Sequence, residues 1–547
     1  MRTIAMFLLA AAVLGAGERI APPRRLGAGP TERRLTLRQA VEMAIRSNLD
    51  VAIERTNVES AERAVEAARG GFDPVVHWQS LAADSNTPSA AVLQSADGVV
   101  SQHSAGQTLA WRQKTSWNGL TVDAQFDANR TASGNPYVSI SPYYSSLLTL
   151  TVTQPLLRGR AVDTERALVK IRRHDRAASA AELEARAIDI AARVEQAYWD
   201  IVAARRRVEV DLEAANLAQT QLEQNRRMIA QGTLPQVELS AAEAESQSRL
   251  DDLYRSTGQV TEAEDTLKTL LARDRQDSLW NEEILPVDDG TAAPPAVIEL
   301  AEAEAEALSR RPELKQLDAN RAANEVVVRQ NADLLKPQVN LVASYSLAGL
   351  AGHIRTANPL TDALTPEYQR VNALSAAAGL PAVAAPTLGT FPGSMVGALG
   401  GSLSSLFGGN YQSAQAGITL DFTVRNRAAE ANLATAATAG KRLQLMRSRA
   451  EQAIEAQVRD ALQALDTGRQ RMRAAEAGAL AAGDKLASET RMFAAGGSTN
   501  FLVLTRQNEY SAARRRVVDA DTAFWKAVSQ YQAAVGRTLV AWGMEVE

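Results

Sequence analysis

One helical pattern, written twice 264 positions apart, limits this chain more than anything else in it. The first copy runs from about Ala161 to Gln231, rich in Ala, Glu, Arg and Leu, with no Pro or Gly inside. At 1.5 Å per residue such a helix is on the order of 100 Å long, several times the usual length. Its apolar residues keep a step of seven: Val194, Ile201, Val208, Ala215, Leu222 and Ile229. A sustained step of seven predicts coiled-coil packing against a neighbouring helix. The second copy carries Val458, Leu465, Met472, Ala479, Leu486 and Phe493. Arg205/Arg469, Arg207/Arg471 and Met228/Met492 match at the same offset. Each copy ends in Gly, at Gly232 and Gly496, and a second helix follows, from Pro235 to about Arg273 and from Thr499 to about Arg537. One helical hairpin is present twice.

Composition narrows the classes. The net charge is −4 with both signs interspersed, which argues against nucleic acid as a partner. There is no Cys, so disulfides, thiolate metal sites, Cys nucleophiles and an N-terminal Cys lipid are excluded. The four His (His77, His103, His174, His353) are scattered. There is no phosphate loop, metal-ligand spacing or nucleophile motif, so no enzyme activity, metal or cofactor is expected. Residues 1–17 read as a secretory signal: basic Arg2, apolar Ile4 to Leu14, then Gly15-Ala16-Gly17. The apolar run is too short to span ~30 Å of hydrocarbon as a helix.

Between signal and hairpins the plan also repeats. Residues 18–34, rich in Pro, Gly and Arg, are expected to be a loose linker. The first repeat covers 35–273, a connector 274–295, the second repeat 296–537 and a tail 538–547. Each repeat opens with helices that a Pro stops, Pro74 after Gly70-Gly71 in one and Pro337 in the other. Strands follow, with period-two alternation. Leu120, Val122, Ala124 and Phe126 oppose Thr121, Asp123, Gln125 and Asp127, and Leu148, Leu150 and Val152 oppose Thr149, Thr151 and Thr153. In the second repeat the strands are 338–347 and 414–423. Asn118-Gly119 predicts a hairpin turn between strands near 107–115 and 120–129. Residues 349–412 are read as a surface loop, mobile or draped over a barrel mouth.

Apolar residues alternating with small polar ones suit a wall with lipid on one side and water on the other. Two crossing strands per repeat give four per chain if the 107–129 pair is an extracellular hairpin, the reading preferred because the second repeat offers only two strands, or six per chain if that pair crosses as well. Four strands cannot close, and open sheet edges are not tolerated in lipid. Three chains would supply about twelve strands. The fold class is therefore mostly α with membrane β. An internally duplicated protomer of long coiled-coil helices forms a periplasmic α-barrel, and its strands join a β-barrel shared by the trimer.

The opening LTLRQAVEMAIRSNLDV, the strand exit TVTQPLLRGR and the duplicated tips MIAQGTLPQVEL and MFAAGGSTNFLVL resemble the TolC family of outer-membrane efflux proteins. The resemblance covers about Leu35 to Arg537. It implies a homotrimeric exit duct in outer-membrane lipid, served by a periplasmic adaptor (membrane fusion) protein and an inner-membrane pump of the RND or ABC type. It implies that the tips, Gly232-Thr233-Leu234-Pro235 and Gly496-Gly497-Ser498-Thr499, dock the adaptor and close the channel at rest. Glu238 lies where the family often carries an acid that holds the closed state; the same position also suits a helix-start acid favoured by the dipole. Where the best-known member pattern has aspartates at the constriction, this chain has Leu502 and Thr505, so a neutral periplasmic constriction is expected. The rival reading is an exported periplasmic coiled-coil or adaptor-like protein without a pore.

Overall fold

The computed structural model describes residues 20–21, 23–25, 29, 31–91, 94–95, 97–288, 299–356, 359–384 and 390–544. The signal at 1–17 lies outside them. The described residues fall into two compact units, those within 1–62, 174–321 and 442–547, and those within 63–173 and 322–441.

The repeat boundaries follow local chemistry. Strand β1 (Thr31–Leu35) leads into α1 (Leu37–Ser47) and α2 (Leu49–Arg69). Thr36 caps α1: its hydroxyl accepts from the Gln39 amide at 3.3 Å while the Gln39 side chain accepts from the Thr36 amide at 3.1 Å, a reciprocal capping box. The two helices part at Asn48, whose side-chain amide donates to the Leu270 carbonyl at 3.0 Å. Strands β2 (Val75–Pro88), β3 (Val99–Lys114), β4 (Thr121–Ser133) and β5 (Ile140–Pro155) follow, then α3 (Thr164–Ala230) and α4 (Val237–Leu271). Strand β6 (Glu282–Pro286) lies in the connector. The second repeat contains α5 (Leu300–Arg310), α6 (Pro312–Leu334), β7 (Gln338–Ile354), α7 (Pro359–Ala377), α8 (Leu399–Phe407) and β8 (Gln412–Asp421). It ends in α9 (Arg427–Ala494), α10 (Asn500–Val535) and α11 (Thr538–Trp542).

In the first unit the upper part of α3 meets α10 through aromatic packing. Trp199 stacks on Trp525 with centroids 5.0 Å apart and planes at 15°. Tyr198, fully buried, accepts the amides of Val287 and Asp288 at 3.1 Å and donates to the Asp288 carboxylate at 2.9 Å. Tyr198-Trp199 is thus helix packing, as its place on the stripe-bearing helix suggests. The loose linker of the sequence reading is partly built in: β1 pairs in parallel with β6. Arg25 also bonds the buried Glu264 at 2.6 Å, which Lys268 meets at 2.9 Å. Burial alone would raise the Glu264 carboxyl, but the bonds from Arg25, Lys268 and the Ile284 amide outweigh it and hold the group below its usual range. Glu195 goes the other way: burial pushes its carboxyl up, although the Trp542 indole donates to it at 2.6 Å.

The second unit holds, among the described residues, one six-stranded antiparallel sheet in the order β2-β3-β4-β5-β7-β8. Asn118 (φ 51°) and Gly119 (φ 72°) form the predicted turn between β3 and β4, closed by the Leu120 amide donating to the Trp117 carbonyl at 3.1 Å. Two expectations need correcting. The 107–129 pair is not a separate hairpin: β3 and β4 run 99–114 and 121–133 inside the same sheet, and β2 is added to them. Strand β2 opens the stretch 75–156 that reads as strand-rich, but its own bounds are not legible, because Val75-Val76 and the run Leu81-Ala82-Ala83 break period two. Residues 349–412 are not simply a loop, since β7 continues to Ile354 and helices α7 and α8 follow. Helix α8 seats on β7 and β5. Ser402 Oγ lies 2.7 Å from Ser146 Oγ and donates to the Gly349 carbonyl at 3.2 Å. A Cβ at Gly349 would collide with the Ser402 carbonyl.

Candidate functional site

The two hairpin tips are built alike because the same backbone problem is solved with the same residue. A helix end leaves four carbonyls without partners. At the first tip the Gly232 amide donates to Ile229 O at 2.9 Å and the Thr233 amide to Met228 O at 2.9 Å. At the second, the Gly496 amide donates to Phe493 O at 3.0 Å and the Gly497 amide to Met492 O at 2.9 Å. Both are Schellman turns, and both glycines sit in the left-handed region, at φ 70° and 77°. A side chain at either would meet open space, so backbone conformation and not packing demands Gly. Gly232, Thr233, Pro235, Gly496, Gly497 and Thr499 are exposed, and Leu234 and Ser498 half-buried. Around them lie exposed Val237, Met492 and Phe501.

Behind the exposed rim the two tips share one polar network. Glu238, in the first turn of α4, accepts from the Asn500 amide at 3.0 Å. Asn500, itself buried, accepts from Gln221 on α3 at 3.0 Å, and Gln221 donates at 3.0 Å to Asn225. The sequence singled out Glu238 alone. Asn500, Gln221 and Asn225 were missed, because nothing local marks a pairing across 262 positions. Further along, Arg249 on α4 bonds Asn508 on α10, and Arg515 on α10 reaches Asp211 on α3 at 2.7 Å and Asp252 on α4 at 2.9 Å. Ser498 donates to Glu489, which Arg506 approaches at 3.8 Å. The expected constriction residues are not brought together with Glu238 in any bond. Leu502 is partly exposed, and the Thr505 hydroxyl donates to its own helix, at Phe501 O, 2.8 Å.

The sheet separates its chemistry by face. Successive registers place Val76, Trp111, Ala124, Leu150, Tyr345 and Ala414 in one row and Trp78, Leu109, Phe126, Leu148 and Leu347 in the next. Val122, Val152, Ala343 and Ala416 make the row below. The opposite face carries Arg112, Asp123, Thr151, Ser344 and Gln415, then Gln125, Thr149, Ser346 and Ser413. On that face Arg112 pairs with Asp123, and Thr108 donates to Asp127 at 2.6 Å. Many of the apolar side chains stand in solvent, Trp78 at 68 % and Ile418 at 68 %. An exposed apolar surface of this extent calls for a lipid or protein cover. On the apolar face charge returns only above these rows, at Asp84 and Arg130. Among the described residues no helix is long and apolar enough to cross a membrane.

Residues 112–273 match the family described as outer membrane efflux protein. No curated protein sequence matches the chain. Solved structures do. The CmeC outer membrane channel of Campylobacter jejuni superposes with a TM-score of 0.58 at 13 % identity, covering 92 % of this chain and 86 % of that one. The open state of the MtrE outer membrane channel of Neisseria gonorrhoeae gives 0.59 at 15 %, covering 92 % and 89 %. The outer membrane protein VceC of Vibrio cholerae gives 0.57 at 14 %, covering 91 % and 96 %. At these identities the shared property is the fold.

Proposed function

We propose that this chain is an outer membrane efflux protein, the passive exit duct of a tripartite efflux or secretion system. It opens a path through the outer membrane and extends into the periplasm. The observation that carries the reading is the sheet: apolar residues on one face, charged and hydroxyl residues on the other, and two edges left unpaired among the described residues. A sheet of this kind is stable in lipid only when copies close it into a barrel around water, and a homotrimer meets that need. The exposed tips at Gly232–Pro235 and Gly496–Thr499 receive a periplasmic adaptor, which connects the duct to an inner-membrane pump of the RND or ABC type. The bonds from Glu238 to Asn500 and from Arg515 to Asp211 and Asp252 hold the helices together at rest, and docking releases them. Leu502 and Thr505 make the narrowest point neutral. The chain supplies no energy for transport; its residues shape and gate the path.

The test is the mass of the particle extracted in detergent from isolated outer membranes. Three chains per particle is the expected result. A monomer, or protein confined to the soluble periplasmic fraction, would leave the sheet unable to close and would favour a periplasmic coiled-coil protein.

A further inference from the structure

The sheet carries a second message, in how many of its strands belong to the wall. Strands β2 and β3 could be an appendage, with β4 the true edge. Three features of the second unit speak against that. The β3–β4 ladder is continuous from Gln102↔Ser133 to Lys114↔Thr121, so β4 has no free edge to offer. The apolar face runs without interruption through Trp111 and Leu109 on β3 to Val76 and Trp78 on β2, while the charges of β3 and β4 in these rows all lie on the other face. At the belt's upper border the Trp78 indole donates to Gln107 at 3.0 Å, the amphipathic placement expected of an interfacial aromatic. Strands β2 and β8 are exposed along their whole length and pair on one side only among the described residues.

We propose, building on the duct reading, that all six strands of each chain stand in the barrel wall, and that β8 of one copy pairs with β2 of the next. Parity fixes the sense: six alternating strands make the first and last antiparallel, so the joint repeats the ladder inside the chain. Level strand ends fix the register. Following the ladder from Val75 through Arg112, Asp123, Thr151 and Ser344 leads to Gln415, six residues short of the end of β8 at Asp421. For the next copy's β2 to start at the same height, Val75 must lie opposite Asp421. A stagger of six residues over six strands gives a tilt of about 35°, at the lower end of the range barrels adopt. The joint then sets Trp78 against Ile418 and Val76 against Leu420 on the lipid face, and Gln79 against Gly417 on the water face. Three chains give eighteen strands, a bore about half again as wide as twelve would leave.

The chain has no Cys, so paired cysteines report the joint without background. Gly417→Cys is combined in the full-length protein with Gln79→Cys, with its same-face neighbours His77→Cys and Leu81→Cys, and with Gln125→Cys on β4. Outer membranes are oxidised and run on non-reducing gels, and particle mass is measured in parallel. Disulfide-linked dimers and trimers with Gln79→Cys or its neighbours, and none with Gln125→Cys, are expected. Linkage to Gln125→Cys would mean that β4 is the edge and only four strands cross, which overturns the proposal. So would three-chain particles that link to none of these positions. Monomeric particles would instead remove the duct reading on which the joint depends.

Discussion

The two long helices are copies in sequence and unequal in burial. In α3 the residues of the seven-step stripe are buried at Val194, Ile201, Ala215 and Leu222. In α9 the stripe is buried at Val458 and Leu465, then only half-buried at Met472, Ala479, Leu486 and Phe493. The bonding differs in the same way. Helix α3 is tied to α4 through Arg226–Glu243 and to α10 through Arg206–Asp521 and Arg207–Asp519. The lower part of α9 meets α10, where Gly483 lies against Tyr510 and Glu489 faces Arg506. The same hydrophobic instruction is thus satisfied inside the chain in one repeat and left half open in the other. A seam half covered by its own chain is what a helix shows when its second neighbour belongs to another copy.

The comparison can be broken most directly at the covered seam. Trp525→Ala removes the stacked partner of Trp199 and should cost about 3–5 kcal/mol, read as a lower denaturant midpoint of the detergent-solubilised protein. A cost below about 1 kcal/mol would mean that this core is not holding the hairpins. Next comes the tip junction, where the two hairpins meet. Asn500→Ala leaves Gln221 and Glu238 without their shared partner, a loss of roughly 1–3 kcal/mol, and should raise the basal conductance of single channels. Glu238→Gln keeps an acceptor for Asn500 and should change conductance little. Equal opening by both variants would shift the role from the hydrogen bond to the carboxylate charge. The smallest effect on the chain itself belongs to the open seam. Leu486→Ser should cost the chain's own stability under about 1 kcal/mol while lowering the fraction of trimer in detergent. Trimers that withstand dilution as well as the parent would mean that no second copy covers α9.

Much of this was legible in the chain, for reasons that mark where legibility stops. The hairpins could be read because a step of seven is a local regularity, and their ends because a left-handed helix stop selects Gly at positions 232 and 496. The helices begin and end within a few residues of the reading, at Thr164–Ala230 against 161–231 and at Arg427–Ala494 against 428–495. Strand β4 could be read because Val122, Ala124 and Phe126 alternate with Asp123, Gln125 and Asp127; for β2 only the strand-rich stretch from Val75 could be read and not its bounds, because its apolar residues cluster. What stayed hidden was long-range. The parallel pairing of β1 with β6 joins residues some 250 positions apart, and Arg25 in the presumed linker is fixed by Glu264. At the tips Glu238 looked like a helix-start acid, and only the fold brings Asn500 to it.

The seat of α8 bears on the order in which the sheet can assemble. Strands β2 to β5 follow one another through short connections, so they can zip up locally. The β5–β7 ladder instead closes an excursion from Pro155 to Gln338, and the entropy of closing a loop rises with its length. That ladder is the joint between the two repeats and the step least favoured by chance encounter. Helix α8 touches both of its strands, and the small residues Ser146, Gly349 and Ser402 let it settle against them at close range. Once β7 and β8 have paired around their own excursion, α8 presents a ready-made surface for β5 to find, a rivet at a seam that sequence proximity does not close.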